Sequence, residues 1–282
     1  MTTPQSISGL RETIERFDVY FLDQFGVLHD GVRPYPGVVE ALEALHDAGK
    51  SLVILTNSGK RAASNLERLV AMGMPRATIY GVMSSGEVAW RRLRDGAFVD
   101  GAGRERKIAI IGRSGVDYGL GGLDLAFVAT PDESDFLLIL GSDAPKMSLD
   151  DYAELLRGAA ARGVPALCAN PDIWMLTPHG LCPAPGAIAR TYQEIGGDVS
   201  YIGKPFGAIY EGGLGLCADV QKSRVVAVGD SVAHDIRGAS DFGIASMLVR
   251  TGVLADASDE RLTALFAEDH ATPTYLLPQF RW

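Results

Sequence analysis

The stretch FLDQFGVLHDG, residues 21–31, ends an apolar, strand-like run on a lone carboxylate, Asp23, with Gly26 three residues later. A carboxylate at a strand end is a common way to present a phosphoryl-transfer nucleophile, although a strand-end aspartate that only caps the next turn is as ordinary. A second acid would be most useful two residues on, and Phe25 stands there instead. Thr56-Asn57-Ser58 follows the apolar run SLVIL. Its hydroxyls and backbone N–H groups at the start of a helix suit a phosphate, and they equally suit a helix N-cap. Gly203-Lys204-Pro205 follows VSYI. Its lysine could neutralise a carboxylate and a phosphoryl oxygen together, or it could be an ordinary surface lysine beside a turn. GDSVAHD, residues 229–235, puts Asp230 and Asp235 on either side of the turn after a buried strand. That spacing suits one direct and one indirect Mg²⁺ ligand, because Mg²⁺ keeps several of its waters. Helix capping by Asp230, with Asp235 solvated, is the plainer use of the same pair.

All four stretches sit at the predicted carboxyl ends of strands, where open α/β sheets bind ligands. Asp18–Asp23 reads as a strand from its β-branched and aromatic content. Pro36-Gly37 opens a helix with Val38, Val39, Leu42 and Leu45 at helical spacing, and Gly49 stops it. Ser51–Leu55 is a buried strand of the parallel type and completes a βαβ unit. Toward the other end, Ala187–Ile195, Ala208–Ala218 and Asp235–Phe242 read as helices, with strands at Val199–Ile202, Arg224–Val228 and Ala245–Val249. Between these blocks lie strands at Lys107–Ile111, Leu125–Ala129, Phe136–Leu140 and Val164–Ala169. A helix starts near Ser148, where Ser148-x-x-Asp151 resembles a capping box. The expected fold is α/β with a mainly parallel sheet. Residues 1–82 and 185–282 form one domain, and residues 83–184 form a second domain inserted into it, with Ser84-Ser85-Gly86 as the outgoing hinge.

A length of 282 residues fits one large or two moderate domains. At 47% hydrophobic and 22% charged, the chain has ample material for a core. A net charge of −9 with no basic cluster argues against a nucleic-acid partner. A small phosphorylated metabolite needs only a local positive site. Cys168, Cys182 and Cys217 form no CxxC pair and are odd in number, which points to reduced thiols rather than a disulfide framework or zinc site. The start, MTTPQSISGLRETIERFD, lacks the pattern of a signal peptide. Runs such as FLLIL are too short to span a bilayer. The expectation is a cytoplasmic protein with no membrane partner; a homodimer is compatible with the sequence but not specified by it.

Taken together and in this order, the motifs resemble those of the haloacid dehalogenase-like hydrolase superfamily. They are Asp23 in DQFGVL, Thr56 in LTNS, Lys204 in GKP, and Asp230 with Asp235 in GDSVAHD. TNSGK, CANPD (Cys168 to Asp172) and VSYIGKP narrow the likeness to the type IIA capped branch, which includes nucleotide, sugar-phosphate and nitrophenyl-phosphate phosphatases. The similarity runs from about Asp18 to about Gly252. It implies a Rossmann-like core with an inserted α/β cap that closes over the site and selects the substrate. It further implies Mg²⁺ held by Asp23, the Phe25 backbone carbonyl and Asp230, supported by Asp235. Asp23 would be the nucleophile and Lys204 its partner, with Thr56, Asn57, Ser58 and Lys204 around the phosphate. Asn170, Asp172, Trp174 and His179 would border the substrate, or merely pack the hinge.

The chain departs from the pattern at Phe25, where phosphatases of this family carry the aspartate that protonates the leaving oxygen. Such help is typically worth about 10²–10⁴ in rate, so alkyl phosphates should suffer most and aryl or acyl phosphates least. His29 and Asp30 lie close enough in sequence to be tested as substitutes, with His29 more often a packed residue than a catalyst. An aromatic residue here also resembles the family's true dehalogenases, in which aspartate attacks carbon without a metal. A phosphate-binding protein without turnover is a third reading. The intact acidic pair and the position of the insert favour a Mg²⁺-dependent phosphatase acting through an aspartyl-phosphate.

Overall fold

In a computed structural model, which describes residues 3–96, 106–123, 125–177 and 180–282, the chain forms two compact units. The first comprises Met1–Thr56, Ala63–Met83 and Lys204–Trp282. Among the described residues its sheet has seven strands, in the order Gln5–Ser6, Tyr275–Leu277, Ala245–Val249, Val225–Gly229, Val19–Leu22, Ser51–Thr56 and Gly81–Ser84. Pairing is parallel from the first of these across to Ser51–Thr56. Val19–Leu22 and Val225–Gly229 are buried at every position. Strands covered on both faces need unbroken apolar runs rather than alternation.

The helix Val38–Asp47 shows how sequence becomes packing here. Gly37 opens it at φ +82°, a conformation that a side chain would resist. Val38, Ala41, Leu42 and Leu45 then recur at helical spacing and are all buried. Each of the larger side chains contributes about 1.5–3 kcal/mol on burial. Truncating Leu42 to alanine would cost roughly 2–5 kcal/mol.

The second unit comprises Asn57–Ala62 and Ser84–Gly203. Its parallel sheet runs Val199–Tyr201, Ala166–Cys168, Phe136–Ile139, Lys107–Ile111, Ala126–Val128. A separate hairpin pairs Trp174–Thr177 with Gly180–Pro183. The helices Leu149–Ala161 and Pro185–Glu194 bury Tyr152, Leu156, Ile188 and Tyr192 in one cluster with Leu137 and Ile139. Ser148 caps the first of them in the full reciprocal box with Asp151, as the sequence indicates.

The observed division corrects the expected end of the insert. The helix Pro185–Glu194 and the strand Val199–Tyr201 lie in the second unit, because that strand pairs with Ala166–Cys168. The boundary therefore falls at Gly203 rather than residue 184, and Asn57–Ala62 joins the same unit. Helical and strand periodicity identify elements but not the sheet each one joins. The sequence reading also passes over the helices Ala62–Ala71, Ser85–Arg94 and Asp259–Glu268. Among the described residues, no helix is long and apolar enough to cross a membrane.

Candidate active site

The site grows from three neighbouring strands of the first unit. Leu22 lies opposite both Val228 and Ile54 in the parallel register. Asp23, Asp230 and Thr56 therefore follow within two residues of the same rung, at the carboxyl edge of the sheet. The ladder extends one step further, since Asp23 N–H donates to the Val228 carbonyl at 3.0 Å. Lys204 Nζ lies 2.7 Å from Asp23 Oδ1 and 2.7 Å from Asp235 Oδ1. Oxygens of Asp23, Asp230 and Asp235 all lie within 4.8 Å of one another.

Local backbone geometry explains how these groups meet. After Gly229 the chain makes a wide π-type turn over Val232–Ile236 before regular α-helix begins at Arg237. The sequence expectation of a helix starting at Asp235 is corrected by that turn. Ser231 caps it by accepting from His234 N–H, and Ser231 N–H donates to Asp235 Oδ2 at 3.2 Å. Turns of this width are over-represented at functional sites. Tyr210 steadies the same segment, its hydroxyl donating to the Asp235 carbonyl at 3.3 Å.

Asp230 is enclosed by backbone. Val253 N–H donates to its Oδ2 at 2.9 Å. A Cβ on either Gly26 (φ +82°) or Gly252 would collide with this carboxylate. Thr251 Oγ1 donates to the Gly26 carbonyl and ties the two glycine turns together. Thr251, Gly252 and Val253 are site residues that the sequence reading missed. A Thr-Gly pair one residue after the strand Ala245–Val249 was the available signal.

The electrostatics are those of three crowded carboxylates around one buried ammonium. Burial raises the Asp23 carboxyl above its usual range; Lys204 opposes this and Asp235 adds to it. Asp230 is raised further, by burial first and then by the charges of Asp23 and Asp235. Burial alone would lower the Lys204 ammonium, but Asp23 and Asp235 outweigh it and hold the proton firmly. Lys204 is only 3% exposed, so its charge depends on that pairing. A third carboxylate crowded against such a pair needs either a proton or another cation.

The other sequence candidates separate into groups. Thr56 closes its strand within the first unit. Asn57 and Ser58 belong to the second unit, and no helix starts on them: the next one begins at Ala62, whose N–H donates to Glu87. The expected cradle at a helix start is thus corrected to a non-helical segment that bends at Gly59 and Lys60 before the helix. Asn57 Nδ2 donates to Asp172 Oδ1 at 2.8 Å, and Asn170 Oδ1 accepts from Asp172 N–H at 3.0 Å. Asn170 and Asp172 therefore organise the return segment, while Trp174 is 61% exposed at the start of the hairpin. His179 lies outside the described residues.

Phe25 is 41% exposed and meets the buried His29 edge-to-face, with ring centroids 6.1 Å apart. His29 Nδ1 accepts from Gly31 N–H at 3.0 Å, which places the ring proton on Nε2. Burial, and then the Arg68 charge, lower its pKa and keep it neutral. The Asp30 carboxylate accepts from Arg33 and Val32 N–H at 2.9 and 2.8 Å, and these bonds hold its pKa below the usual range. Tyr35, the hydroxyl on the same loop, holds its proton more tightly through burial and the nearby Asp230 and Asp30 charges.

Family models for a haloacid dehalogenase-like hydrolase match residues 20–125 and, for a second model of the same family, residues 201–281. This chain is a haloacid dehalogenase-like hydrolase. The two matches cover the elements that bring Asp23, Lys204, Asp230 and Asp235 together. The hydrolase is 25% identical to the dihydroxyacetone phosphatase of Corynebacterium glutamicum, over 86% of this chain and 84% of that one. It is 24% identical to the 4-nitrophenylphosphatase of Schizosaccharomyces pombe, over 86% and 87% respectively. A solved haloacid dehalogenase-like hydrolase from Brucella suis superposes with a TM-score of 0.83 at 27% identity, covering 97% of this chain and 99% of that one. These relatives include a nitrophenylphosphatase, as the branch resemblance implies.

Proposed function

We propose that this hydrolase is a Mg²⁺-dependent phosphomonoesterase that acts on a small phosphorylated metabolite through an aspartyl-phosphate. The observation that carries this reading is Lys204, set 2.7 Å from both Asp23 and Asp235, with Asp230 completing the acidic cluster. Three hard oxygen donors, two of them with raised pKa values, fit a small divalent cation. Asp23, Asp230 and the Phe25 carbonyl would hold it, with Asp235 in support. Bound there, the ion would offset charge on the phosphoryl oxygens.

The chain's own part begins with Lys204, which screens the repulsion between Asp23 and an approaching phosphate. An Asp23 oxygen attacks phosphorus in line as the bond to the leaving oxygen breaks. Water then attacks the same phosphorus, the Asp23–phosphorus bond breaks, and the carboxylate is restored. Thr56, followed in the chain by Asn57 and Ser58, is our candidate for holding the phosphoryl oxygens together with Lys204. We read the second unit as the cap, carrying Trp174 among its substrate-selecting residues.

The test is phosphate release from aryl phosphates with and without Mg²⁺, run beside halide release from 2-haloacids. The reading expects phosphate release that requires Mg²⁺. Asp23→Asn should lower it on the order of 10⁶-fold, the scale seen when a covalent nucleophile is removed. Metal-independent halide release would install the dehalogenase reading instead, and phosphate binding without turnover would install the third.

A further inference from the structure

The loop after Asp23 replaces its expected acid with a ring and ties up both nearby substitutes. Asp30 is committed to its own turn, accepting two backbone N–H groups at 2.8 and 2.9 Å and facing Arg33 at 3.6 Å. His29 is 2% exposed, and its Nδ1 is occupied by Gly31 N–H. Its Nε2 is buried without a hydrogen-bond partner. A group so enclosed is poorly placed to give a proton to a leaving oxygen. Phe25, by contrast, is braced and accessible. A Cβ on Gly31 would come within 3.1 Å of its ring, and His29 packs against it, yet 41% of the residue remains exposed.

Resting on the proposed phosphatase reading, we infer that the substrates carry phosphate on an oxygen that leaves as a stable anion, as in an aryl, enol or acyl phosphate, with the Phe25 ring against the leaving group. In the first step Asp23 forms a bond to phosphorus, and the leaving oxygen departs with the bonding pair, taking a proton later from water. A flat leaving group gains contact with the ring, and aromatic contacts of this kind add to simple burial. In the second step no side chain at position 25 removes a proton from the attacking water, so that proton passes to a phosphoryl oxygen. The second step is the same for every substrate. With a good leaving group it becomes the slower one, and the phosphorylated Asp23 accumulates.

The experiment uses the full-length protein with Mg²⁺ and a series of substituted phenyl phosphates, alkyl phosphates and acetyl phosphate. The expected kcat/KM falls steadily as leaving-group pKa rises, with roughly 10²–10⁴ separating aryl from alkyl esters. For the most acidic phenols kcat should converge on one value, with a burst of product approaching one equivalent per active site. Acid quenching should then trap phosphate on Asp23. Phe25→Asp should raise alkyl-phosphate turnover by about 10²-fold and remove the burst. Asp30→Asn and His29→Asn, the latter keeping an acceptor for Gly31 N–H, should leave the slope unchanged. A shallow slope in the parent, or a slope that steepens in either variant, would overturn the inference while leaving the phosphatase reading intact; Tyr35 would be the next donor to test. Absence of phosphate release from every compound in the series would overturn both.

Discussion

The two units build the same kind of sheet and use its carboxyl edge in opposite ways. In the second unit the strands, numbered by their own chain order, run 2-1-3-4-5, with the order reversing between Lys107–Ile111 and Phe136–Ile139. Such a reversal opens a crevice where ligands commonly bind. Here Tyr118 closes over part of the edge: its OH accepts from Arg113 N–H at 2.9 Å, and a Cβ on Gly141 would strike that hydroxyl, while a cavity of about 590 Å³ stays open beside it, lined by Gly112, Arg113, Ser114 and Tyr118. The carboxylate at this edge, Asp143, accepts from Ser114 Oγ and, at 3.1 Å, from Ser114 N–H. These bonds hold the Asp143 pKa below the usual range. Asp230, at the corresponding edge of the first sheet, is shifted the other way by burial and by two neighbouring carboxylates. A parallel sheet thus supplies a crevice in both units. Among the described residues, buried like charges gather at the strand ends of the first unit, which makes that edge the stronger candidate for chemistry.

The sharpest way to break that contrast is to remove the cation on which the first edge depends. Lys204→Met keeps most of the volume but leaves Asp23 and Asp235 without their shared partner. Removing one side of a buried charge network costs about 3–5 kcal/mol. Urea unfolding at neutral pH in EDTA should register that loss, and turnover should fall with it. A variant as stable as the parent would mean that the buried charges are far better solvated than their burial implies.

A smaller effect follows from the raised carboxyls. In the metal-free native state Asp230 holds its proton at pH values where the unfolded chain has already released it. Its contribution to stability is therefore present below the ordinary carboxylate range and is lost as pH rises through the raised folded value. Every tenfold difference in proton affinity between the folded and unfolded chain is worth about 1.4 kcal/mol. The measurement is the difference in unfolding free energy between the parent and Asp230→Asn across pH, in EDTA. It should decline with rising pH, and Mg²⁺ should abolish the decline in the parent. A difference that is flat with pH would mean that Asp230 titrates normally and that the cluster is not under charge stress.

How much of this was legible before the structure depends on what each residue must do locally. Asp23, Lys204, Asp230 and Asp235 could be found because each stands at a strand end within a short, recognisable stretch. The fold class followed from unbroken apolar strands alternating with helical spacing, and the capping box at Ser148 was visible as residue types three apart. The enclosure of Asp230 was not legible, because Gly26 and Val253 are brought to it from strand ends far apart in sequence. The insert boundary failed for a related reason: Val199–Tyr201 looks alike whichever sheet it joins. His29 and Asp30 remained open as acids until their partners, Gly31, Val32 and Arg33, were placed. Local chemistry is written in short stretches, whereas enclosure and sheet membership arise only when distant segments meet.

The smallest expected effect tests the carboxyl edge of the second unit. Tyr118→Phe keeps the ring over Gly112 and Gly141 and deletes only the oxygen that accepts from Arg113 N–H. A single neutral hydrogen bond is worth about 0.5–1.5 kcal/mol. Burial raises the Tyr118 pKa, so the phenol is neutral at working pH and its loss removes no charge. Urea unfolding should therefore show a deficit of about that size, and Mg²⁺-dependent release of phosphate from an aryl phosphate should stay at the parent's rate. The same variant with the same substrate separates two kinds of residue at a carboxyl edge. If Tyr118 only fills space, stability moves and turnover does not. If turnover falls while stability holds, the second crevice takes part in the reaction, and the contrast between the two sheets must be redrawn around Tyr118.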